Sequence, residues 1–399
     1  MNNLKKIFTS ALLWPLYITT LLTPKSPIIW VFGAWGGRSF SDNSKYLYLH
    51  VQKNNRTINP VWITKSRNLQ HELNLQGINA HYFISFLGIY YQLRASAAFF
   101  THHQSYDFLG GSIAPQTKRY QLWHGTPLKK ILWDDEMYSK RENTLKAKLI
   151  RKTLPWLQNK STLVISASPC VSANLKTAFR SKVSVTGYPR NDSIDPGSIS
   201  GAKRDIKKII YMPTFRGVNS TASSNLMLNN ILISSGFDVN IIDRNLSACD
   251  ATLTLRLHPS NKLSEELKAS IESSINIALD ESGQDIYALL NQYDVLISDY
   301  SSIVFDYMLS GRPVIHAGFD SEEYVKTSRS LYHPYSSICL TPEIRNWTDV
   351  FAFIQSIQSS GLSAEYIEKY NTILTSSNYY RDQDSCKRIT DIATGRAQP

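Results

Sequence analysis

The feature that most constrains the fold of this chain is a recurring order of short apolar run, turn and helical pattern. Residues 28–32 form one apolar run, which ends at Gly33, and residues 43–50 follow it with a helical pattern. Similar runs lie at residues 61–64, 97–101, 120–123, 163–166 and 183–186. Strands that alternate with helices in this way predict an α/β fold built on a parallel sheet.

A second set of apolar runs begins after a hydrophilic stretch at residues 191–208. The runs of this set lie at residues 208–212, 239–242, 252–257, 295–298 and 313–316. A length of 399 residues suits two domains of ordinary size. We therefore expect a possible membrane-associating segment at 1–26, a Rossmann-like domain at 27–195 and a second Rossmann-like domain at 205–395. The carboxyl ends of the strands in both domains should face a ligand cleft.

The charge balance indicates an anionic partner. The chain has 43 Lys and Arg residues against 32 Asp and Glu residues, a formal net charge of +11, which favours nucleic acid, a phosphate-rich substrate or an acidic membrane. We find no recognised nucleic-acid module in the sequence and expect no nucleic-acid partner. The four cysteines lie far apart without a CxxC pair, which argues against a disulfide framework or a zinc ribbon and favours a reducing, cytoplasmic compartment.

Two segments have the composition of membrane-surface structure. Residues 7–24 carry no charge and follow Lys5 and Lys6, so they suit an interfacial anchor, a buried helix or, less well because of Pro15, a span. Residues 140–160 place Leu145, Leu149, Thr153 and Trp156 near one helical face, among several Lys and Arg residues. We expect peripheral binding to an anionic membrane; the alternative is two amphipathic helices packed on the core.

Three motifs of the second half follow predicted strands. The strongest is Asp299 to Ser302, at the start of a helix that contains Asp306, where hydroxyls and backbone N–H groups suit a phosphate. Plain helix capping is the alternative explanation. The other two motifs place Thr214 beside Arg216, and Arg256 before His258. A guanidinium suits an oxyanion, and a strand-end histidine can reach a ligand.

The first half has two further strand-end motifs. His124 is followed by Gly125 and Thr126, and a histidine there is a candidate general base for a hydroxyl. A glycine-rich turn with Gly36 and Gly37 leads to Asp42 and Asn43 but lacks the GxGxxG order, so it gives little support for a dinucleotide site.

Two groups of potential metal ligands are better explained otherwise. The pair at residues 102–103 has no partner at ligand spacing, and the acidic turn at residues 134–136 is typical of a solvated surface. No cofactor is expected, and a divalent metal is left open.

Taken in order, these motifs resemble the CDP-glycerol glycerophosphotransferase family of teichoic-acid polymerases and primases. The segments that carry the resemblance are GGRSFSDN, QLWHGTPLKK, YMPTFRG, RLHP and DVLISDYSSIVFDYMLSGRPV. The resemblance implies a GT-B-like fold of two Rossmann-type domains, the first for the acceptor and the second for the CDP donor. It also implies transfer of a polyol phosphate, glycerol phosphate foremost, to a hydroxyl of a lipid-linked or polymeric acceptor at the cytoplasmic face of the membrane, in teichoic-acid-like or capsule synthesis.

The resemblance also implies residue roles. His124 and His258 fall on the two histidines linked to activity in the family, and Arg216, Ser301 and Ser302 fall on positions linked to the donor phosphates. We assign His124 as the base and His258 to the pyrophosphate and the CMP leaving group, with an exchange of roles left open. The runner-up function is a GT-B glycosyltransferase that uses a nucleotide sugar. A non-catalytic basic module would explain the charge but not the two strand-end histidines.

Overall fold

The computed structural model describes residues 12–215, 221–258, 260–321, 324 and 330–398, with residues 221 and 222 described by their backbone alone. The chain divides into two compact units. Unit 1 comprises the described residues up to Thr126, Lys130–Asp192 and the described residues from Asp382 on. Unit 2 comprises Pro127–Lys129 and the described part of Ser193–Arg381.

Twelve strands form the two sheets of the described chain. They are β1 (Ser26–Phe32), β2 (Asn59–Thr64), β3 (Ala80–Tyr82), β4 (Ala95–Phe100), β5 (Lys118–Gln121), β6 (Leu163–Ser166), β7 (Val183–Val185), β8 (Lys208–Met212), β9 (Thr252–Leu255), β10 (Ile277–Leu279), β11 (Val295–Ser298) and β12 (Val314–His316). All the strand pairs within the sheets are parallel.

Sixteen α-helices are described along the chain. They are α1 (Trp14–Leu22), α2 (Asp42–Asn54), α3 (Arg67–Leu75), α4 (Phe86–Arg94), α5 (Gln104–Asp107), α6 (Glu136–Glu142), α7 (Leu145–Thr153), α8 (Pro169–Phe179), α9 (Thr221–Ser234), α10 (Val239–Cys249), α11 (Glu265–Glu272), α12 (Ile303–Tyr307), α13 (Tyr335–Ile338), α14 (Trp347–Ser359), α15 (Ala364–Ser377) and α16 (Ser385–Thr394).

Unit 1 is built on a seven-stranded sheet in the order β3-β2-β1-β4-β5-β6-β7. Its strands are apolar runs because helices cover both faces of a parallel sheet. On one face, the rings of Phe32, Phe99 and Tyr120 stack across neighbouring strands, with centroids 4.8 Å apart in both contacts. The strand order reverses between β1 and β4, and ligands of doubly wound sheets bind at this reversal, beyond the carboxyl ends of the strands.

Unit 2 has a five-stranded sheet in the order β10-β9-β8-β11-β12, so its order reverses between β8 and β11. Ile210 of β8 pairs with Leu296 of β11, and both side chains are fully buried. The loops that follow these two strands carry Thr214 and Asp299. Both sheets confirm the predicted α/β class with two Rossmann-type units.

One predicted strand is wrong. Residues 239–242 begin α10, because the Asp238 side chain accepts a hydrogen bond from the Ile241 N–H at 3.0 Å and so caps the helix. Ile242 and Leu246 are buried one turn apart, and a four-residue apolar run cannot distinguish this spacing from a strand. The short strands β3 and β10 were not predicted.

The end of the chain corrects the predicted extent of the second domain, which was placed at 205–395. Helix α16 buries Cys386, Ile389 and Ala393 in the hydrophobic core of unit 1. The Cys386 N–H donates to Asp192 Oδ2 at 2.8 Å, and Arg388 Nε donates to the Thr186 carbonyl at 2.8 Å. Residues from Asp382 on therefore belong to unit 1.

The predicted membrane-associating segment is described from residue 12 on. Helix α1 buries Tyr17 and Thr20, and Tyr17 packs with Leu154 and Trp156 in a small cluster of unit 1. Leu22, at the end of α1, is 78% exposed. One face of α1 therefore packs on the core, as the buried-helix alternative predicts, and the other face is apolar and exposed. Anchoring at a membrane surface stays a prediction. Among the described residues, no helix is both long and apolar enough to cross a membrane.

Candidate active site

The loop after β5 presents His124. Gln121, the last residue of β5, shapes this loop because its Oε1 accepts from the Trp123 N–H at 2.9 Å. His124 Nδ1 lies 3.2 Å from the Thr101 carbonyl oxygen. A carbonyl oxygen only accepts, so this contact places a proton on Nδ1 and makes Nε2 the basic nitrogen of the neutral ring. The geometry therefore orients His124 as a proton acceptor.

One buried carboxylate joins the loops that follow β1 and β4. Asp107 Oδ1 accepts from the Gly36 N–H at 2.8 Å, and Oδ2 accepts from the N–H groups of Thr101 and His102, each at 3.0 Å. Burial raises the pKa of Asp107, while His102 and these backbone N–H groups act in the opposite direction by stabilising the carboxylate. Sequence reasoning missed Asp107, which stands 71 positions from Gly36.

The predicted acceptor-side glycines, Gly36 and Gly37, have a structural reason to be glycine. Their φ angles are 68° and 72°, in the left-handed region that glycine adopts without strain. A Cβ atom on Gly36 would lie 2.6 Å from the Tyr106 ring, and one on Gly37 would lie 3.0 Å from the Lys65 backbone nitrogen. Contact of either glycine with the acceptor stays a prediction.

Asp42 and Asn43, also predicted on the acceptor side, stabilise the loop after β5 that carries His124, called the histidine loop below. Asn43 Nδ2 donates to the carbonyl oxygens of Leu122 and Trp123, each at 3.0 Å. Asp42 Oδ1 accepts from Arg190 Nη1 at 2.9 Å, and both side chains are about 95% buried.

Arg190 extends this network to the histidine loop, because its Nη1 also donates to the His124 carbonyl at 3.0 Å. Its backbone N–H donates to Asn43 Oδ1 at 3.2 Å. These contacts make Asp42, Asn43 and Arg190 positioning residues for His124. Sequence reasoning missed Arg190, whose partner Asp42 is 148 positions away, and no local signal marks it.

His102, which the sequence suggested to be an ordinary loop residue, lies against His124. The two imidazole rings stack with centroids 4.6 Å apart and planes 15° apart. Trp123 contacts the His124 ring at a centroid distance of 3.9 Å. The part of the chain that the structure describes has no group of three or more His, Cys, Asp or Glu side chains placed to hold a metal ion.

The two residues after His124 complete this loop. Gly125 has a φ of 125°, which a side chain rarely permits. Thr126 Oγ1 is buried and has no hydrogen-bond partner among the described residues. Buried hydroxyls are nearly always satisfied, so this hydroxyl is a candidate to bind a substrate oxygen.

In unit 2, Asp299 joins the loops after β8 and β11. It accepts hydrogen bonds from the Thr214 N–H at 2.9 Å and from the Tyr300 N–H at 2.6 Å, and the Thr214 hydroxyl also donates to it. Both predicted donor-side residues are therefore engaged with each other. They fix the shape of the loops at the reversal of strand order.

His258 follows β9 and contacts the Phe215 ring at a centroid distance of 4.9 Å. Its Nδ1 accepts from the Ser260 N–H at 3.2 Å, so the neutral ring carries its proton on Nε2. Burial lowers the pKa of His258 and thereby favours this neutral form. His258 is thus oriented as a hydrogen-bond donor, the opposite of His124.

Ser301 and Ser302 precede α12. Ser301 Oγ accepts weakly from the Ile303 N–H at 3.4 Å, and the Ser302 side chain makes no capping hydrogen bond. The backbone N–H groups of both serines have no partner among the described residues. Gly311, with a φ of 64°, ends the helical segment in the left-handed conformation that favours glycine. These N–H groups and hydroxyls could hold phosphate oxygens.

The other predicted donor-side residues are Arg256, Asp306 and Arg216. Arg256 Nη1 binds Asp280, and its Nη2 donates to a loop carbonyl, so its guanidinium stabilises the loop. Asp306 is buried and accepts from the Tyr287 hydroxyl at 2.7 Å. Arg216 lies outside the described residues. Phosphate contact by these three residues stays a prediction.

Comparison with known proteins decides the family. A sequence profile of the family described as CDP-glycerol:poly(glycerophosphate) glycerophosphotransferase matches residues 16–394. The chain belongs to this family. It is 26% identical over 386 residues to the teichoic acid glycerol-phosphate transferase of Staphylococcus aureus (strain NCTC 8325 / PS 47), and the match covers 92% of each chain.

Two further proteins support this membership and the fold. A teichoic acid poly(glycerol phosphate) polymerase of Bacillus spizizenii is 24% identical over 393 residues, with 94% of each chain covered. The solved structure of the wall teichoic acid polymerase TagF matches with a TM-score of 0.69 at 19% identity, covering 98% of this chain and 96% of that chain. The predicted family, GT-B-like fold and enzyme class, a glycerophosphotransferase that transfers polyol phosphate from a CDP-activated donor, are thereby confirmed.

Proposed function

We propose that this enzyme transfers glycerol phosphate from CDP-glycerol to a hydroxyl of a polymeric or lipid-linked teichoic-acid-type acceptor and releases CMP. Glycerol is the proposed polyol because two relatives that align along nearly the whole chain are named for glycerol phosphate. The acceptor oxygen forms a bond to the phosphorus that carries glycerol. The bond from that phosphorus to the bridging oxygen breaks, and CMP leaves with that oxygen.

Unit 1 provides the base in this proposal. His124 Nε2 takes the proton of the acceptor hydroxyl as the new bond forms, while Nδ1–H stays on the Thr101 carbonyl. Since a hydroxyl is a weak nucleophile at neutral pH, removal of its proton in the transition state lowers the barrier. The Asp42–Arg190 pair holds the loop backbone so that Nε2 keeps its direction.

Unit 2 binds the donor. His258 Nε2–H donates to a pyrophosphate oxygen, and the backbone N–H groups of Ser301 and Ser302 bind further oxygens. Phosphoryl transfer depends chiefly on such positioning and charge stabilisation. The opposite proton placement on His124 and His258 is the observation that carries this division of roles.

A donor comparison tests the proposed reaction. Purified full-length enzyme receives a teichoic-acid-type acceptor and CDP-glycerol, CDP-ribitol or a panel of nucleotide sugars, and nucleotide release is measured. We expect CMP release with CDP-glycerol well above the rate with every other donor. Preferred use of CDP-ribitol would overturn the choice of polyol, and preferred use of a nucleotide sugar would overturn the reaction class.

We also propose peripheral binding to an anionic membrane. Helices α1 and α7 meet at the buried cluster of Tyr17 and Trp156, and both present exposed apolar side chains. Those side chains are Leu12, Trp14, Ile18, Leu21 and Leu22 at α1, and Leu145 and Leu149 on α7. Exposed Lys146, Lys148 and Lys152 accompany them, and each basic residue near an anionic surface contributes about 1 kcal/mol. Trp156 was predicted to face the membrane, but α7 ends at Thr153 and Trp156 is buried.

Liposome flotation tests this surface. We expect the enzyme to float with vesicles that contain phosphatidylglycerol at low salt and to be released at high salt, since salt screens the attraction. The double variant Leu145→Gln/Leu149→Gln should float less. Ile233→Gln, which changes an exposed apolar residue of unit 2, is the matched control. Equal flotation of the double variant and the control would contradict the assignment of this surface.

The proposal includes no resident cofactor, because the His258 Nε2–H and backbone N–H groups are assigned to the phosphate oxygens. We expect turnover to persist after dialysis against EDTA. Loss of turnover that is restored by Mg²⁺ would contradict this part of the proposal, while CMP release with Mg²⁺ would still support the reaction.

A further inference from the structure

We propose that Trp35, together with His102 and Tyr106, forms a binding platform for the terminal polyol or sugar unit of the acceptor. This inference rests on the proposed function and names the acceptor-binding surface beside its base. Trp35 is 43% exposed and Tyr106 is 49% exposed, although both belong to tightly bonded segments of unit 1. Two large aromatic side chains are thus held at the surface where the strand order reverses.

The backbone of Trp35 is strained. Its φ of 49° lies in the left-handed region, which is a genuine outlier for a bulky aromatic residue. Such strain persists where the surrounding structure imposes it, and it clusters at ligand-binding sites. Burial of the ring does not compensate for the strain here, because much of the ring remains in solvent.

The orientation of the indole is fixed by hydrogen bonds at both ends of the residue. Its Nε1–H donates to Asp42 Oδ2 at 3.2 Å, and its backbone N–H contacts Thr101 Oγ1 at 3.4 Å. Asp42 is itself held by Arg190. A ring that is fixed before the ligand arrives loses little rotational freedom on binding.

The neighbours of Trp35 complete an aromatic surface beside the base. The Trp35 ring centroid lies 4.9 Å from that of His102 and 6.1 Å from that of His124. Tyr106 contacts His102 at 5.7 Å and packs over Gly36, where a side chain would collide with its ring. Gly36 therefore permits the placement of Tyr106 beside His102.

These distances indicate which substrate the platform binds. An acceptor hydroxyl within hydrogen-bond reach of His124 Nε2 places its own carbon atoms one or two bonds away, within reach of the Trp35 ring, whose centroid lies 6.1 Å from that of His124. Aromatic faces carry partial negative charge and attract the slightly positive C–H groups of polyols and sugars. The neighbouring imidazole and phenol groups of His102 and Tyr106 can bond the hydroxyls. This chemistry fits a polyol or sugar unit of the acceptor.

The variant Trp35→Asn tests the platform with little change to the backbone, because asparagine tolerates the left-handed region. The acceptor is a synthetic glycerol-phosphate oligomer, and steady-state kinetics are measured for each substrate. We expect the acceptor KM to rise at least about tenfold, while the KM for CDP-glycerol changes little. Trp35→Phe should give a smaller rise because it keeps an aromatic face.

Tyr379→Asn is the control, since Tyr379 is an exposed aromatic residue of unit 2 and its loss should leave both KM values unchanged. A rise in the donor KM alone would overturn the inference and indicate that Trp35 stacks on the cytosine of the donor. Unchanged KM values for Trp35→Asn would also overturn it.

Direct binding separates this inference from the proposed reaction. Calorimetric titration of the oligomer into wild-type enzyme and into Trp35→Asn should show weaker binding to the variant. This result would stand even if wild-type enzyme released no CMP from CDP-glycerol, an outcome that would refute the proposed function alone. Equal affinity of the two proteins for the oligomer would refute the platform.

Discussion

The buried pair of Asp42 and Arg190 allows a sharp test of how the histidine loop is held. Asp42 Oδ1 accepts from Arg190 Nη1 at 2.9 Å and from the Asn43 N–H at 2.8 Å, and Oδ2 accepts from Trp35 Nε1 at 3.2 Å. The substitution Asp42→Asn keeps the shape of the side chain and suits the φ of 62° at this position. It removes the negative charge that pairs with the buried Arg190 guanidinium.

The expected loss of folding stability follows from the burial of this ion pair. Removing one partner of a buried ion pair costs about 3–5 kcal/mol, because the remaining charge is uncompensated. A typical domain has a free energy of unfolding of about 5–15 kcal/mol, so this loss is a large share of the total stability of unit 1. At about 2 kcal/mol per molar urea, the unfolding midpoint of unit 1 should fall by roughly 2 M.

Urea unfolding followed by tryptophan fluorescence measures this midpoint, and hydrogen exchange of unit 1 peptides assigns the transition. Glu136→Gln is the matched control in the same unit, because Glu136 pairs with Lys140 in a fully exposed contact that contributes little. The double variant Asp42→Asn/Arg190→Met should recover part of the loss, since no charge then stays buried. A midpoint shift for Asp42→Asn no larger than that of Glu136→Gln would refute the reasoning.

Three further outcomes are expected. His124→Ala and His258→Ala should each lower turnover at least ~10²-fold with the fold retained; near wild-type CMP release by either variant would remove that histidine from the mechanism. Arg216→Lys should weaken use of CDP-glycerol, because an ammonium cannot bind two phosphate oxygens as a guanidinium does; an unchanged donor KM and rate would contradict this. Burial lowers the pKa of His316 to about 3, below its unfolded value of about 6.5. Its contribution to stability is therefore complete above about pH 6.5 and falls by about 1.4 kcal/mol per pH unit below it, so urea midpoints of wild type should drop more between pH 7 and 5.5 than those of His316→Asn.

The sequence could predict all the described strands except β3 and β10, because a buried parallel strand is a continuous apolar run, as at residues 28–32 and 295–298. It failed at residues 239–242, where the cap on Asp238 and the burial of Leu246 define a helix that the short run does not reveal. The return of α16 to unit 1 depends on contacts such as that of Cys386 with Asp192, 194 positions apart. Long-range packing of this kind has no local signature.

The candidate site was predicted as a set of motifs, but the roles within each motif depend on partners far along the chain. His124 was found because it directly follows a predicted strand. Its tautomer depends on the Thr101 carbonyl, which only the paired strands bring near. Asp42 was predicted to face the acceptor, whereas its carboxylate is buried against Arg190. A buried charged residue that positions a loop gives the same sequence signal as a charged residue that faces a ligand.

The most direct test of the central claim measures both products of one reaction. Wild-type enzyme and His124→Ala are incubated with CDP-glycerol and a defined oligomeric acceptor, and CMP is quantified beside the mass of the acceptor. We predict that wild-type enzyme lengthens the acceptor by whole glycerol-phosphate units, with one CMP for each unit, and that the variant does so at least ~10²-fold more slowly. CMP release without growth of the acceptor, or growth at an undiminished rate in the variant, would contradict the account.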